Sequence, residues 1–131
     1  MLMITAFFAS VLALIYIKLS RNIILLRREH KISLGSGKSK DLEKAIRAQA
    51  NFNEYVPLGL ILLACLEINN FNQVIIFASG ALLVAGRFMH AKSFLKDEMD
   101  TQLRVNGMKC TFWSLRILAG LNILAIIMLL V

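Results

Sequence analysis

The sequence predicts an all-α integral membrane protein, a bundle of four membrane-crossing helices. Three observations carry this. Hydrophobic residues make up 58% of the 131 positions, and the mean hydropathy is +0.69, whereas a soluble domain of this length is close to half apolar. The apolar residues fall into four stretches long enough to cross a bilayer. The last of these, 117–131, is relieved only by Gly120 and Asn122, so it has no polar face to offer water. One domain is the expectation for this length.

The first helix is expected over about 2–28. It is a retained helix and not a signal peptide, because it lacks a basic n-region and is followed by Lys18 and Arg21 instead of a small-residue cleavage site. Those two cations snorkel or face a neighbour, since the apolar body continues through Ile23-Ile24-Leu25-Leu26. The connection after it contains Gly35-Ser36-Gly37-Lys38-Ser39. A phosphate-binding loop would need a further glycine where Ile32 stands, and a preceding strand, so this stretch reads as a flexible loop.

The second helix is expected over about 41–68, with Ser39 or Asp41 as its cap and Glu43 in its first turn. Its purely apolar part, 55–68, is too short to cross alone, so the polar stretch before it must lie partly at membrane depth. Pro57, the one proline of the chain, cannot donate to the carbonyl of Asn53 and is expected to kink the helix. A short turn at 67–72 leads to the third helix, over about 73–95, in which Ser79, Gly80, Ala81, Ala85 and Gly86 permit close helix approach. A second hydrophilic segment, 96–109, precedes a fourth helix over about 110–131, with Trp113 at the interface and Arg116 snorkelling.

The net charge is +7, from 15 Lys and Arg against 8 Asp and Glu. Most of the basic residues are split between two short hydrophilic segments without base-stacking aromatics, which argues against nucleic acid as a partner. They act first as a topology signal. One connection carries Arg27, Arg28, Lys31, Lys38, Lys40 and Lys44; the other carries Lys92, Lys96, Arg104 and Lys109; the turn between the second and third helices has none. Both basic loops are therefore expected on the cytoplasmic side, with both termini on the non-cytoplasmic side. Cys65 and Cys110 have no metal-ligand spacing and read as small packed residues.

The most informative stretch is Arg47-Ala48-Gln49-Ala50-Asn51-Phe52-Asn53-Glu54-Tyr55-Val56-Pro57. Ionisable and amide groups at membrane depth are costly unless they face the protein interior or a wet cavity. At helical spacing Arg47, Asn51, Glu54 and Tyr55 share one face. Arg27 and Arg28 end the first helix at the same side of the membrane, Arg87 and His90 lie one turn apart on the third, and Arg104 precedes the fourth. Several arginines thus gather in one layer with one obvious carboxylate, Glu54. Lipid phosphates account for Arg27 and Arg28. For Arg47 and Arg87 a small anionic ligand bearing two carboxylates and an amine is the better match.

The stretch from Arg47 to Pro57 resembles the signature of the MAPEG superfamily, the membrane-associated proteins of eicosanoid and glutathione metabolism, which include leukotriene C4 synthase-like and microsomal glutathione transferase branches and small bacterial members. The core pattern is Arg, Asn four on, Glu three on and Pro three beyond. The similarity extends to Arg27-Arg28, Ala85-Gly86-Arg87 and Gln102-Leu103-Arg104, and Arg104-Val105-Asn106-Gly107-Met108 resembles a pattern of the small bacterial members. The resemblance implies a homotrimer with glutathione as co-substrate between subunits at the cytosolic face. It implies that Arg47, Gln49, Asn51, Glu54, Tyr55 and Arg87 bind glutathione, with Arg27 from a neighbouring first helix. Arg104 would stabilise the glutathione thiolate, and Arg28 would lie near a hydrophobic or lipid-like second substrate. A free thiol of pKa about 8.5 is mostly protonated at neutral pH, and a guanidinium favours the reactive thiolate. Where glutathione-using members often have two tyrosines after the third-helix arginine, this chain has His90, which can donate a hydrogen bond, and Phe94, which cannot. The implied activity is a glutathione transferase or peroxidase acting on hydrophobic electrophiles or lipid hydroperoxides. A non-catalytic lipid-binding protein on the same fold stays open as the alternative, whereas a transporter would need inverted repeats and a midplane site. The short loops and the bacterial-type ending of the second segment point to a bacterial inner membrane.

Overall fold

The computed structural model describes residues 1–95 and 100–130. The described residues form four helices in order, α1 (Met3–His30), α2 (Lys40–Ile68), α3 (Gln73–Phe94) and α4 (Thr101–Leu130). All four are long and apolar enough to cross a membrane. Strands are absent among the described residues. Sequential helices pack on one another, α1 also meets α3 and α2 meets α4, while the backbones of α1 and α4 stay apart. α2 and α3 therefore form the middle of the bundle and α1 and α4 its two flanks.

The core follows from which apolar side chains these contacts cover. Leu12 and Leu19 of α1 meet Phe52 and Val56 of α2 and Leu83 of α3 in one cluster, and Phe8, Leu63, Leu66, Ile76 and Leu118 form a second nearer the opposite end. Many large apolar residues point outward instead, among them Leu14, Ile61, Phe77 and Ile123. That coat would be a liability in water and is the expected surface toward lipid.

Helix ends are fixed by specific groups. Ser39 caps α2 by accepting from the Leu42 backbone N–H, and Asn72 caps α3 by accepting from those of Val74 and Ile75. α1 has no side-chain cap of its own. Glu67, in the last turn of α2, supplies one from across the bundle: its carboxylate accepts from the backbone N–H of Ile4 and Thr5, both at 2.8 Å, and from the Thr5 hydroxyl at 2.7 Å. A carboxylate at a helix N-terminus satisfies orphan donors and complements the dipole. Glu67→Ala should therefore cost about 2 kcal/mol and loosen α1 first. Faster amide exchange at Ile4 and Thr5 in the variant would register this, and wild-type protection there would count against it. α2 is one helix through Pro57.

The fourth helix differs from the sequence expectation. It starts at Thr101, not near Cys110, because Asp100 caps it: the Leu103 N–H donates to the Asp100 carboxylate at 2.9 Å and the Arg104 N–H to the Asp100 carbonyl at 3.0 Å. Residues 101–109, expected as a polar connection, are two further turns of helix, and Arg104 lies inside α4 instead of before it. Lys96, Asp97 and Glu98 of that expected segment lie outside the described residues.

These extra turns carry Gly107, which faces Gly86 of α3. A Cβ on Gly107 would lie 2.7 Å from the His90 backbone nitrogen and 2.8 Å from the Gly86 carbonyl oxygen; one on Gly86 would lie 2.8 Å from the Thr111 backbone nitrogen. The two backbones are thus in direct contact, which only glycine permits. This contact sets the position of every side chain that α3 and α4 deliver to the basic end of the bundle.

Candidate functional site

At that end the first turns of α2, the last turn of α3 and the first turns of α4 enclose a cavity of about 470 Å3, within the range of small-molecule sites, roughly 300–1,000 Å3. One face of α2 supplies Lys40, Glu43, Lys44, Arg47 and Asn51 at spacings of three and four, α3 supplies His90 and Phe94, and α4 supplies Arg104. Among the described residues, four cations and one carboxylate line the space.

Below the cavity lies Arg87, 1% exposed and the largest fully buried side chain. Its Nε and Nη2 donate to the Thr111 hydroxyl at 2.9 and 2.6 Å, Nη1 donates to the Asn51 carbonyl oxygen at 2.9 Å, and Nη2 reaches the Met108 sulfur at 3.2 Å. The Tyr55 ring sits 5.3 Å from the guanidinium carbon. The Thr111 hydroxyl donates in turn to the Gly107 carbonyl at 2.8 Å, so both its lone pairs and its proton are used. Every partner of Arg87 is neutral. A buried guanidinium without a carboxylate keeps an uncompensated field. Asn51 passes that field upward, since it holds Arg87 and lines the cavity.

Above this layer the Arg104 guanidinium lies 5.9 Å from the Phe94 ring centre, and the Phe94 and His90 rings are 5.2 Å apart. Phe94 thus offers a ring face to a cation. His90 is buried, and the Gly86–Gly107 contact holds its backbone against α4.

Of the residues singled out from the sequence, Arg47, Asn51, His90 and Arg104 line one cavity, and Arg87 and Tyr55 lie directly beneath. The other four are placed elsewhere within the single chain. Gln49 turns toward α1, donating to the Ser20 hydroxyl at 2.8 Å. Arg27 donates to the carbonyls of Gly35 at 2.8 Å and Ser33 at 3.4 Å, clasping the connection after α1. Arg28 and Glu54 are exposed and do not line the cavity. Glu54 shares the angular face of Glu43 and Arg47 but lies about 4.5 Å further along α2 than Asn51, past the end of the cavity. The sequence reading missed Thr111, Lys40, Glu43 and Lys44. Thr111 is the hydroxyl four residues after Gly107, and the lysines continue the face of Arg47 by one and two turns.

The family model described as "MAPEG family" matches residues 5–124. The inner membrane protein YecN of Escherichia coli (strain K12) is 30% identical over 121 residues, covering 92% of this chain and 91% of that protein. The inner membrane protein YecN of Escherichia coli O6:H1 (strain CFT073) matches with the same identity and coverage.

Proposed function

Because the chain belongs to the MAPEG family, and because Lys40, Lys44, Arg47 and Arg104 line its polar cavity, we propose that it is a glutathione-dependent transferase or peroxidase of the membrane, acting on hydrophobic electrophiles or lipid hydroperoxides. The observation that carries this reading is the layer of Arg87 and Asn51 beneath a cavity lined by Lys40, Lys44, Arg47 and Arg104, with Glu43 as the one lining carboxylate among the described residues. Glutathione has two carboxylates and an ammonium, and the cation excess suits the former. In this reading Arg47 and Asn51 bind the tripeptide, and Arg104 holds the sulfur as thiolate. The thiolate attacks an electrophilic carbon, forms a C–S bond and expels the leaving group; chloride leaves from chlorodinitrobenzene. With a hydroperoxide, two glutathiones are oxidised to the disulfide while the hydroperoxide is reduced to alcohol and water.

The proposed assembly is a homotrimer. Glu54 and Arg47 are exposed on a membrane helix, where a polar side chain needs company, and a second copy packed there would cover them. The same contact would bring Arg27, Arg28 and Gln49 of one copy toward the cavity of the next. The proposed setting is a bacterial inner membrane with the cavity on the cytoplasmic side, supported by the basic connections and by the inner-membrane relatives.

An ultraviolet titration of purified protein with glutathione tests the reading. Thiolate absorbance should appear on binding. Arg104→Ala should lower it and slow conjugation of chlorodinitrobenzene about a hundredfold, with a smaller change in affinity. Arg47→Ala should weaken binding about tenfold. Protein that neither binds glutathione nor conjugates the electrophile would sink the proposal. The second reading, a lipid-binding protein without catalysis, is favoured by Phe94, which gives the cavity wall a ring and no hydroxyl. It expects binding without thiolate.

A further inference from the structure

On the other side of α3 from the polar cavity, a groove runs between α1 and α3. It consists of two adjoining hollows of about 280 and 460 Å3 that share Lys18 and Leu95. The walls are apolar, with Leu14, Ile15 and Ile17 from α1 and Phe88 and Ala91 from α3. Three cations rim it: Lys18 in both hollows, Lys92 in one and Arg21 in the other. No carboxylate lines either hollow among the described residues. Among the described residues the side chains of Lys18, Arg21 and Lys92 make no hydrogen bond or ion pair there, unlike Lys44, which pairs with Asp41 at 3.3 Å, or Arg27, which is spent on loop carbonyls.

The depth of these cations is informative. At 1.5 Å per residue, Lys18 and Arg21 lie roughly 22 and 27 Å along α1 from Met3, and Lys92 roughly 28 Å along α3 from Gln73. A hydrocarbon layer of about 30 Å entered at those helix starts ends near all three. The apolar walls Leu14, Ile15 and Phe88 come before the cations, on the hydrocarbon side. Cations at the boundary above an apolar trough match a lipid: headgroup phosphate at the top, acyl chain below.

We propose that the α1–α3 groove is a binding site for an anionic phospholipid, with its phosphate among Lys18, Arg21 and Lys92 and one acyl chain between Ile15 and Phe88. A zwitterionic lipid brings its own ammonium and leaves three cations less well matched, so the groove selects for net negative charge. The site is separate from the polar cavity, because Ala91, Lys92 and Leu95 face the groove while His90 and Phe94 face the cavity. Its occupancy does not depend on the glutathione reading.

Native mass spectrometry of the full-length protein, delipidated in neutral detergent and titrated with phosphatidylglycerol or phosphatidylcholine, tests this. Phosphatidylglycerol should bind at least tenfold more tightly, and K18Q/K92Q should weaken it by roughly tenfold or more, while K31Q/K38Q, off the groove, should not. Wild-type protein alone supplies a second measurement, since phosphatidylglycerol should raise the melting temperature and phosphatidylcholine should not. Equal binding of the two lipids by the wild type overturns the proposal, as does a folded K18Q/K92Q variant that binds like the wild type. A disulfide between Phe88→Cys residues of two copies would also overturn it, by putting a second copy in the groove.

Discussion

Gly107→Val is expected to be the most damaging single change in the chain. The added side chain meets the His90 nitrogen and the Gly86 carbonyl, which are backbone atoms and cannot rotate away. α3 and α4 must part along their tightest contact, at a cost of about 3 kcal/mol or more. Arg87 would suffer with them, since Thr111 and Met108 reach it only while the two helices touch. Melting in detergent should show a much lower midpoint or no cooperative transition. Gly107→Ala should shift the midpoint in the same direction by less. Gly120→Ala is the control: its Cβ would meet nothing within 4 Å, so the helix propensity of alanine should leave stability unchanged or slightly raised. A Gly107→Val protein that melts like the wild type would refute the close approach of α3 and α4.

Arg87→Met should separate the site from the scaffold. Methionine fills much of the buried volume but removes the charge and the donors. Thr111 and Asn51 then lose their partner, at a cost of about 1–3 kcal/mol, so the variant should fold with reduced stability. Anion binding in the cavity should fall at least tenfold, about 1.4 kcal/mol, because Asn51 is no longer oriented and the uncompensated field is gone. Arg87→Lys keeps the charge without the fork that reaches Thr111 and Asn51 together, and should recover only part of the affinity. Calorimetric titration with glutathione reads both variants, and an unchanged affinity in Arg87→Met would detach this residue from the site.

The helices were legible because their apolar stretches exceed what a soluble chain can hide. Arg47, Asn51 and Arg87 were legible because polar groups inside such stretches are too costly to be incidental. The first two turns of α4 were not. Gln102, Arg104, Asn106 and Lys109 give 101–109 the composition of a loop, and hydropathy overrode the cap that Asp100 offers. Nor could periodicity say that Glu54 misses the cavity. Its angle round α2 falls between those of Glu43 and Arg47, which line the space, and only the place where α3 and α4 dock along α2 decides that the cavity stops at Asn51. Gln49 and Arg27 show the same gap: their partners, Ser20 and the loop carbonyls, depend on helix rotation and loop path, which no residue pattern encodes.

The lengths of the helices carry one more consequence. α2 and α4, of 29 and 30 residues, extend roughly 44 Å, whereas α3, of 22 residues, extends about 33 Å, close to the thickness of a hydrocarbon layer. At the basic end α2 therefore overhangs α3 by about one to two turns, while α4 begins level with the last turn of α3, where the Asp100 N–H donates to the Ser93 carbonyl. The cavity is a ledge, floored by the end of α3 and walled by helix that stands in water. A charged, water-soluble ligand can arrive there by aqueous diffusion and never partition into the bilayer, while an apolar molecule can arrive sideways along the membrane. The step between long and short helices makes the protein a meeting place for two phases.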